Sequence, residues 1–395
     1  MNRYLDGKKI ADCCGCSACV QKCPKQCLSM SKDNDGFLFP VVVNNDCIDC
    51  VICAKVCPME NKIGLSDEQK YYGAYNGNSQ EVLTSSSGGI YPALAKWIIE
   101  QKGVVYGASL DSEHNLYHIG ATTEDEVRKT SGSKYFQSDI KDTYNECKAD
   151  LDAGKVVLFT GTPCQVHGLK CFLRKDYENF YTADVICHGV PSQKMFNAYV
   201  SFLEKKHNAK LIDINFRDKK RNGWSITLRY TMKYPNGKHK DYYLISKLSE
   251  YFVAFLEGSI ARESCYVCPF SSLNRAGDIT MGDFWGYQKK RPDLKHEEGL
   301  SLILSNSKKG EYMLDVLCKN GVTFNEVDED CVKVSENKNL YYPTTRPALR
   351  DKVYEELENE GFEYIAAKYY RQTHTLRNKV KNILPNKMVK LLQKI

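Results

Sequence analysis

Two cysteine runs near the start of the chain constrain its fold more than any other feature. Each run has the spacing C-x2-C-x2-C-x3-C-P. The eight cysteines are Cys13, Cys16, Cys19, Cys23, Cys47, Cys50, Cys53 and Cys57. Three thiolates two residues apart wrap around one iron–sulfur cube, and the fourth, before proline, reaches the other cube. The runs therefore predict two [4Fe–4S] clusters, which exchange Cys23 and Cys57 between them.

These runs resemble the duplicated halves of a bacterial dicluster ferredoxin. Short strands are predicted at residues 28–30 and 37–43, around an Asp35-Gly36 turn. We assign residues 1–65 to this domain and a polar linker to residues 62–70. Zinc is the alternative metal, although zinc sites usually join separated C-x2-C pairs. Cys14 and Cys27 fall outside the register, so we interpret them as packing thiols.

Composition fits a globular chain of ordinary hydrophobicity, with 42% hydrophobic and 26% charged residues. The net charge of +6 is a mild excess and gives no nucleic-acid footprint. No signal peptide begins the sequence, and no segment approaches the roughly 18 apolar residues of a membrane helix. We expect a cytoplasmic protein whose 18 cysteines bind metal rather than form disulfides.

After residue 70, predicted strands and helices alternate. The strands are at residues 104–110, 156–160, 180–187 and 300–304, and the helices are at 91–101, 166–173, 195–204 and 312–317. A hairpin is predicted over residues 224–245, with its turn at Pro235-Asn236-Gly237. The fold class is therefore α+β: the ferredoxin fold, a mixed α/β domain in two parts (residues 70–150 and 151–345), and a helical tail (residues 346–395).

Two segments place hydroxyls and glycines before a predicted helix, and neither usual nucleotide fingerprint is present. One is Ser85-Ser86-Ser87-Gly88-Gly89, and the other is Gly161-Thr162-Pro163-Cys164. Free amides at a helix N-terminus bind anions such as phosphate. The alternative is that these residues only cap structural helices.

Four further cysteines form no contiguous run: Cys164, Cys187, Cys265 and Cys268. The last two make a C-x2-C-P pair. A C-x2-C pair is typical of redox, zinc and cluster sites, and here a third cluster competes with a plain structural role. Cys147, Cys171, Cys318 and Cys331 are interpreted as structural.

From about residue 71 to 320 the chain resembles the coenzyme F420 hydrogenase/dehydrogenase β-subunit family, in a form with a fused dicluster ferredoxin. The resembling segments are residues 85–89, 132–135, 161–165, 187–192, 265–270 and 277–286. The order of these segments along the chain is that of the family, and their combination is more specific than any one of them.

The resemblance implies an oxidoreductase that binds FAD and a third [4Fe–4S] cluster. The implied flavin residues are Ser86, Ser87, Gly88, Gly89, Lys134, Tyr135, Gly161 and Thr162. Lys134 would neutralise a phosphate or an anionic flavin, and His188 and Asp283 would contact substrate. The implied ligands of the third cluster are Cys164, Cys187, Cys265 and Cys268.

A flavin with clusters on one chain would convert hydride transfer into single-electron transfer. The alternatives are a non-catalytic electron-transfer subunit and a ferredoxin-dependent reductase of a cell-envelope or other organic substrate. Expected partners are an electron carrier such as ferredoxin, F420 or another redox subunit. The basic segment 371–395 would contact a membrane or partner, or else dock on its own domain.

Overall fold

The computed structural model describes residue 5 and residues 7–64, 69–294 and 296–384. Most of the predicted linker and the last eleven residues of the tail lie outside this part. The N-terminal unit is built twice from the same parts. Strands β1 (Leu28–Lys32) and β2 (Leu38–Val42) pair antiparallel. Helices α1 (Ala18–Gln21) and α2 (Ile52–Lys55) each contain the third cysteine of a run.

The large domain is organised around an eight-stranded mixed sheet. Its strands in chain order are β3 (Lys70–Asn76), β4 (Val104–Leu110), β5 (Leu116–Ala121), β6 (Val157–Gly161), β7 (Phe180–Val185), β11 (Ile279–Asp283), β12 (Ser301–Ser305) and β13 (Val322–Val327). Their spatial order is β13-β3-β12-β11-β7-β6-β4-β5. The four strands β11, β7, β6 and β4 run parallel, and the strands on either side of them pair antiparallel. The carboxyl ends of four parallel strands therefore meet at one edge.

Helices cover both faces of this sheet, as expected when strands alternate apolar residues to both sides. In chain order they are α3 (Ser79–Thr84), α4 (Ile90–Glu100), α5 (Glu124–Thr130), α6 (Thr143–Asp152), α7 (Pro163–Leu173) and α10 (Lys308–Lys319). Helices α4 and α10 pack with Val105 and Leu158 on one face. Helices α6 and α7 pack with Val157 and Phe159 on the other, where buried residues of the N-terminal unit join the same core. The N-terminal unit is thus layered onto α6 and α7.

A second core lies beside the large sheet. Strands β8 (Lys210–Asn215), β9 (Thr227–Lys233) and β10 (His239–Ile245) form a small antiparallel sheet. The helices around it are α8 (Gln193–His207), α9 (Glu250–Leu256), α12 (Arg350–Glu360) and α13 (Phe362–Ile365). Helix α11 (Glu329–Val334) packs beside β13 in another apolar cluster. The predicted hairpin matches β9 and β10, with its N-terminal strand starting three residues late.

The tail docks on the molecule as far as the structure describes it. Helix α14 (Leu376–Ile383) is held by Asn382, which accepts a hydrogen bond from Ile245 N (2.9 Å) and donates one to Tyr243 O (2.9 Å). Leu376 and Ile383 remain exposed. Among the described residues, no helix combines the length and apolar character needed to cross a bilayer.

Candidate functional site

The first predicted set of cysteine ligands surrounds a cavity of about 310 Å³. Its lining includes all four members of the set, Cys13, Cys16, Cys19 and Cys57. Ser17, 3% exposed, has a hydroxyl without a hydrogen-bond partner and also lines this cavity. Burial raises the pKa of Cys19 to about 12, so this thiol stays protonated unless a cation compensates its charge. An acceptor or cation in the cavity would satisfy both groups.

The second predicted set also lines one cavity, a smaller one of about 70 Å³. Its lining includes Cys23, Cys47, Cys50 and Cys53. Cys53 lines the first cavity as well, so the two cavities adjoin at this residue. The exchange of Cys23 and Cys57 between the runs, predicted from the spacing alone, agrees with this grouping.

Cys14 and Cys27 lie closer to these groups than packing thiols need to. Cys27 Sγ is 3.4 Å from Cys23 Sγ. Cys14 is buried and is hydrogen-bonded to both Cys16 and Cys164. Both are therefore additional thiols beside predicted ligands, a position that the spacing of the runs does not reveal.

The four dispersed cysteines come together at the carboxyl edge of the large sheet. Cys164 is the second residue of α7, Cys187 follows β7, and Cys265 and Cys268 belong to a short turn at residues 263–268. Cys265 interacts electrostatically with the other three. Burial raises the pKa of Cys187 to about 12. The fold thus assembles one group of thiols from three separate segments.

A larger cavity, of about 550 Å³, lies at the same edge and touches this third group. Pockets at the carboxyl ends of strands are the usual ligand sites of open α/β sheets. Its lining includes six of the eight predicted flavin residues: Ser86, Ser87, Lys134, Tyr135, Gly161 and Thr162. Cys164, Cys187, His188 and Asp283 line it too. The residues before α4 and α7 therefore open onto one space, and its volume is in the range of small-molecule sites.

Three of the predicted flavin residues do not play the expected part. Gly88 and Gly89 do not line the cavity, and Gly88 N donates to Ser301 Oγ (2.9 Å). Lys134 Nζ donates to three backbone carbonyls, of Ala108, Lys129 and Ser131, at 2.9, 3.0 and 2.8 Å. An ammonium has three protons to donate. The expected neutralisation of a phosphate or flavin by Lys134 does not fit, because its donors are already used within the fold.

The cavity instead presents a buried guanidinium that the sequence analysis did not single out. Arg217 pairs with both oxygens of Asp283 at 2.6 and 3.0 Å, and also donates to Tyr135 OH (3.0 Å) and Ser86 O (3.1 Å). Trp224 Nε1 donates to Asp283 as well (2.7 Å). Arg217 follows β8, in no recognisable motif, so only the tertiary fold reveals this network.

Two histidines beside the cavity have different surroundings. His118 is buried between Ser138 and Thr160 O, each 3.0 Å from a ring nitrogen, and burial lowers its pKa to about 4. It is neutral at neutral pH and holds a fixed tautomer. His188, the predicted substrate contact, lies near Asn339 Oδ1 (3.0 Å) and Leu256 O (3.1 Å). Both of its ring nitrogens are already engaged.

The three cysteine groups have the donor chemistry of iron–sulfur sites. In the described part of the chain, no three His, Cys, Asp or Glu side chains are grouped around a single metal ion. A zinc ion requires thiolates about 2.3 Å from one point, whereas a cubane cluster spreads its cysteines around a larger body. Thiols lining cavities fit the second case, and the ligand sets remain predictions.

The comparisons with known proteins match part of this chain. Residues 154–330 match the family model that describes the C terminus of the coenzyme F420 hydrogenase/dehydrogenase beta subunit. The comparison with curated proteins found no match. Among solved structures, one match is a chain of the F420-reducing [NiFe] hydrogenase complex from Methanosarcina barkeri. The TM-score is 0.44 and the identity 15%, over 76% of this chain and 96% of that one.

Proposed function

Since residues 154–330 belong to the coenzyme F420 hydrogenase/dehydrogenase beta-subunit family, we propose that the protein is a flavin- and iron–sulfur-dependent oxidoreductase. Two [4Fe–4S] clusters would occupy the N-terminal cysteine groups. A third would occupy the group of Cys164, Cys187, Cys265 and Cys268, and FAD would occupy the 550 Å³ cavity. When bound, these groups would supply hydride exchange at the flavin and single-electron transfer at the clusters.

The continuous order of the cysteine groups supports this proposal more than any other observation. The second group adjoins the first at Cys53, which lines both cavities. The first group adjoins the third through Cys14, which is hydrogen-bonded to Cys16 and Cys164. Cys164 also lines the large cavity. Sulfur atoms thus lead from the N-terminal unit to the proposed flavin site, as single-electron transfer requires.

The chain's own residues would bind and orient a dinucleotide in the cavity. The N-termini of α4 and α7 both open onto it, and such termini favour phosphate groups. Arg217 supplies a fixed guanidinium, held in place by Asp283. Asp283 accepts from Arg217 and Trp224, so we assign it to the orientation of this network rather than to proton transfer.

An electron carrier would dock at the second cysteine group. Apolar side chains are exposed around it: Val43 and Ile48 are 55% and 58% exposed, and Val51 is 49% exposed. Ile48 and Val51 line its cavity directly. A carrier such as ferredoxin or another redox subunit would cover this surface, while the hydride partner, F420 or another organic substrate, would reach the large cavity.

The test is an anaerobic assay of hydride-to-electron conversion. The reconstituted protein is mixed with reduced F420 or, separately, NADH, and methyl viologen reports single electrons. We expect one of the donors to reduce the dye, and Cys164→Ser to abolish this activity. Cys147→Ser is the matched control, because Cys147 is buried between α6 and the sheet and belongs to none of the three groups.

Two results would contradict the proposal. Dye reduction that survives in Cys164→Ser would remove the third group from the electron path. A protein that exchanges electrons with dyes but binds no flavin would instead be a non-catalytic electron-transfer subunit.

A further inference from the structure

Arg262 joins the N-terminal unit to the large domain at the point where the first and third cysteine groups meet. It is 1% exposed. Nε donates to Cys13 O (2.8 Å), one terminal nitrogen donates to Leu38 O (2.9 Å), and the other donates to Gln137 Oε1 (3.1 Å). Its own carbonyl accepts from Cys265 N (2.9 Å). One side chain therefore contacts a residue of the first group and begins the turn that carries the third.

The hydrogen-bond partners of Arg262 are all neutral. Within the described residues, no carboxylate lies within ion-pair distance of its guanidinium, whereas the buried Arg217, Arg275 and Arg350 pair with Asp283, Asp184 and Asp35 at 2.6, 2.9 and 2.7 Å. An arginine stays protonated in proteins. A buried charge without a countercharge is strongly unfavourable, so an anion is expected close to Arg262.

Thiolates are the anions that the surrounding residues can supply. A terminal nitrogen of Arg262 lies about 3.0 Å from where a Cβ on Gly15 would be, inside the loop of the first cysteine run. Arg262 also interacts electrostatically with Cys164 of the third group. Four thiolates give a [4Fe–4S] site net negative charge, and such charge is one of the factors that set its reduction potential.

We propose that Arg262 is a positioning residue that supplies the shared countercharge of the first and third cysteine groups and raises the reduction potentials of the clusters bound there. This inference rests on the proposed function. Each one-electron reduction adds negative charge to a cluster and takes up no atom, so a fixed cation beside it favours the reduced form. The second group has no contact with Arg262 among the described residues and serves as an internal reference.

The experiment is an anaerobic redox titration followed by EPR, on the wild type, Arg262→Gln and Arg262→Lys. In Arg262→Gln we expect two of three cluster potentials to fall, with a reduction equilibrium at least tenfold weaker, which is 59 mV for one electron. The third potential stays unchanged. Arg262→Lys keeps the charge, so its potentials should remain within that tenfold range.

Arg350→Gln is the matched control, because Arg350 is another buried arginine that binds the N-terminal unit, through Asp35. It should leave all three potentials unchanged. If Arg262→Gln does not retain its iron, the lysine variant decides: full iron with wild-type potentials supports the proposal, and potentials lowered tenfold overturn it. Unchanged or uniformly shifted potentials in Arg262→Gln also overturn it. A wild type without three clusters refutes the proposed function instead.

Discussion

Docking of the N-terminal unit onto the large domain depends on the absence of a side chain at Gly15. Its backbone has φ +71°, and an added Cβ would lie 2.9 Å from Gln137 Nε2 and 3.0 Å from both an Arg262 nitrogen and Leu38 O. Gly132 is a matched control with φ +78° and open space at the Cβ position. Comparing Gly15→Ala with Gly132→Ala therefore separates crowding from backbone strain.

The expected difference follows from the contacts. Both variants place alanine in the left-handed region, at about 1–2 kcal/mol. Only Gly15→Ala adds overpacking, about 1–3 kcal/mol, and disturbs the bond from Gln137 to Cys14 O, 2.9 Å in the structure, worth about 1 kcal/mol. We expect Gly15→Ala to lower the free energy of unfolding by about 2–4 kcal/mol more than Gly132→Ala, the sum of these two terms.

The assay is urea unfolding of the cluster-loaded protein under anaerobic conditions, followed by far-UV circular dichroism and by visible absorbance. Gly15→Ala should unfold at lower urea and release iron earlier, whereas Gly132→Ala should do so only slightly before the wild type. Equal unfolding free energies for the two variants would refute the described packing of Arg262 and Gln137 over Gly15.

Three other predictions test the site. His118 has a pKa of about 4 in the fold against about 6.5 unfolded, so the unfolded chain takes up the proton first, and stability falls by about 1 kcal/mol from pH 7 to pH 5.5; urea midpoints of His118→Gln should lack this loss, and an unchanged slope would argue against it. Arg217→Met should cost about 3–5 kcal/mol because Asp283 is left charged and buried, with recovery in Arg217→Met/Asp283→Leu; a loss under about 1 kcal/mol in urea would contradict the pairing. Cys14→Ala should keep its full iron content in chemical analysis, and loss of about four irons would make Cys14 a ligand.

Local patterns predicted much of the fold. Strand β4 occupies Val104–Leu110 as predicted, because seven apolar or small residues fill a buried central strand. Helix α7 begins at Pro163, three residues before the periodic segment, because Thr162 and Gln165 form a capping box. Apolar periodicity detects the buried part of a helix and misses its polar first turn.

The site could be predicted only where its residues are close in sequence. Eight cysteines follow one local spacing, whereas Arg217 and Arg262 become functional candidates only through contacts made by distant segments. Lys134 shows the opposite error, since a lysine in a family-like segment was expected to face a cofactor and instead binds backbone carbonyls. No local pattern encodes the direction of a long side chain.

The most direct test of the central claim is an anaerobic count of iron, acid-labile sulfide and released flavin per chain. The proposal predicts about twelve irons and twelve sulfides, four for each of three clusters, together with one FAD. About eight irons without flavin would contradict it. That result would leave clusters only in the N-terminal unit and would remove Cys164, Cys187, Cys265 and Cys268 as ligands.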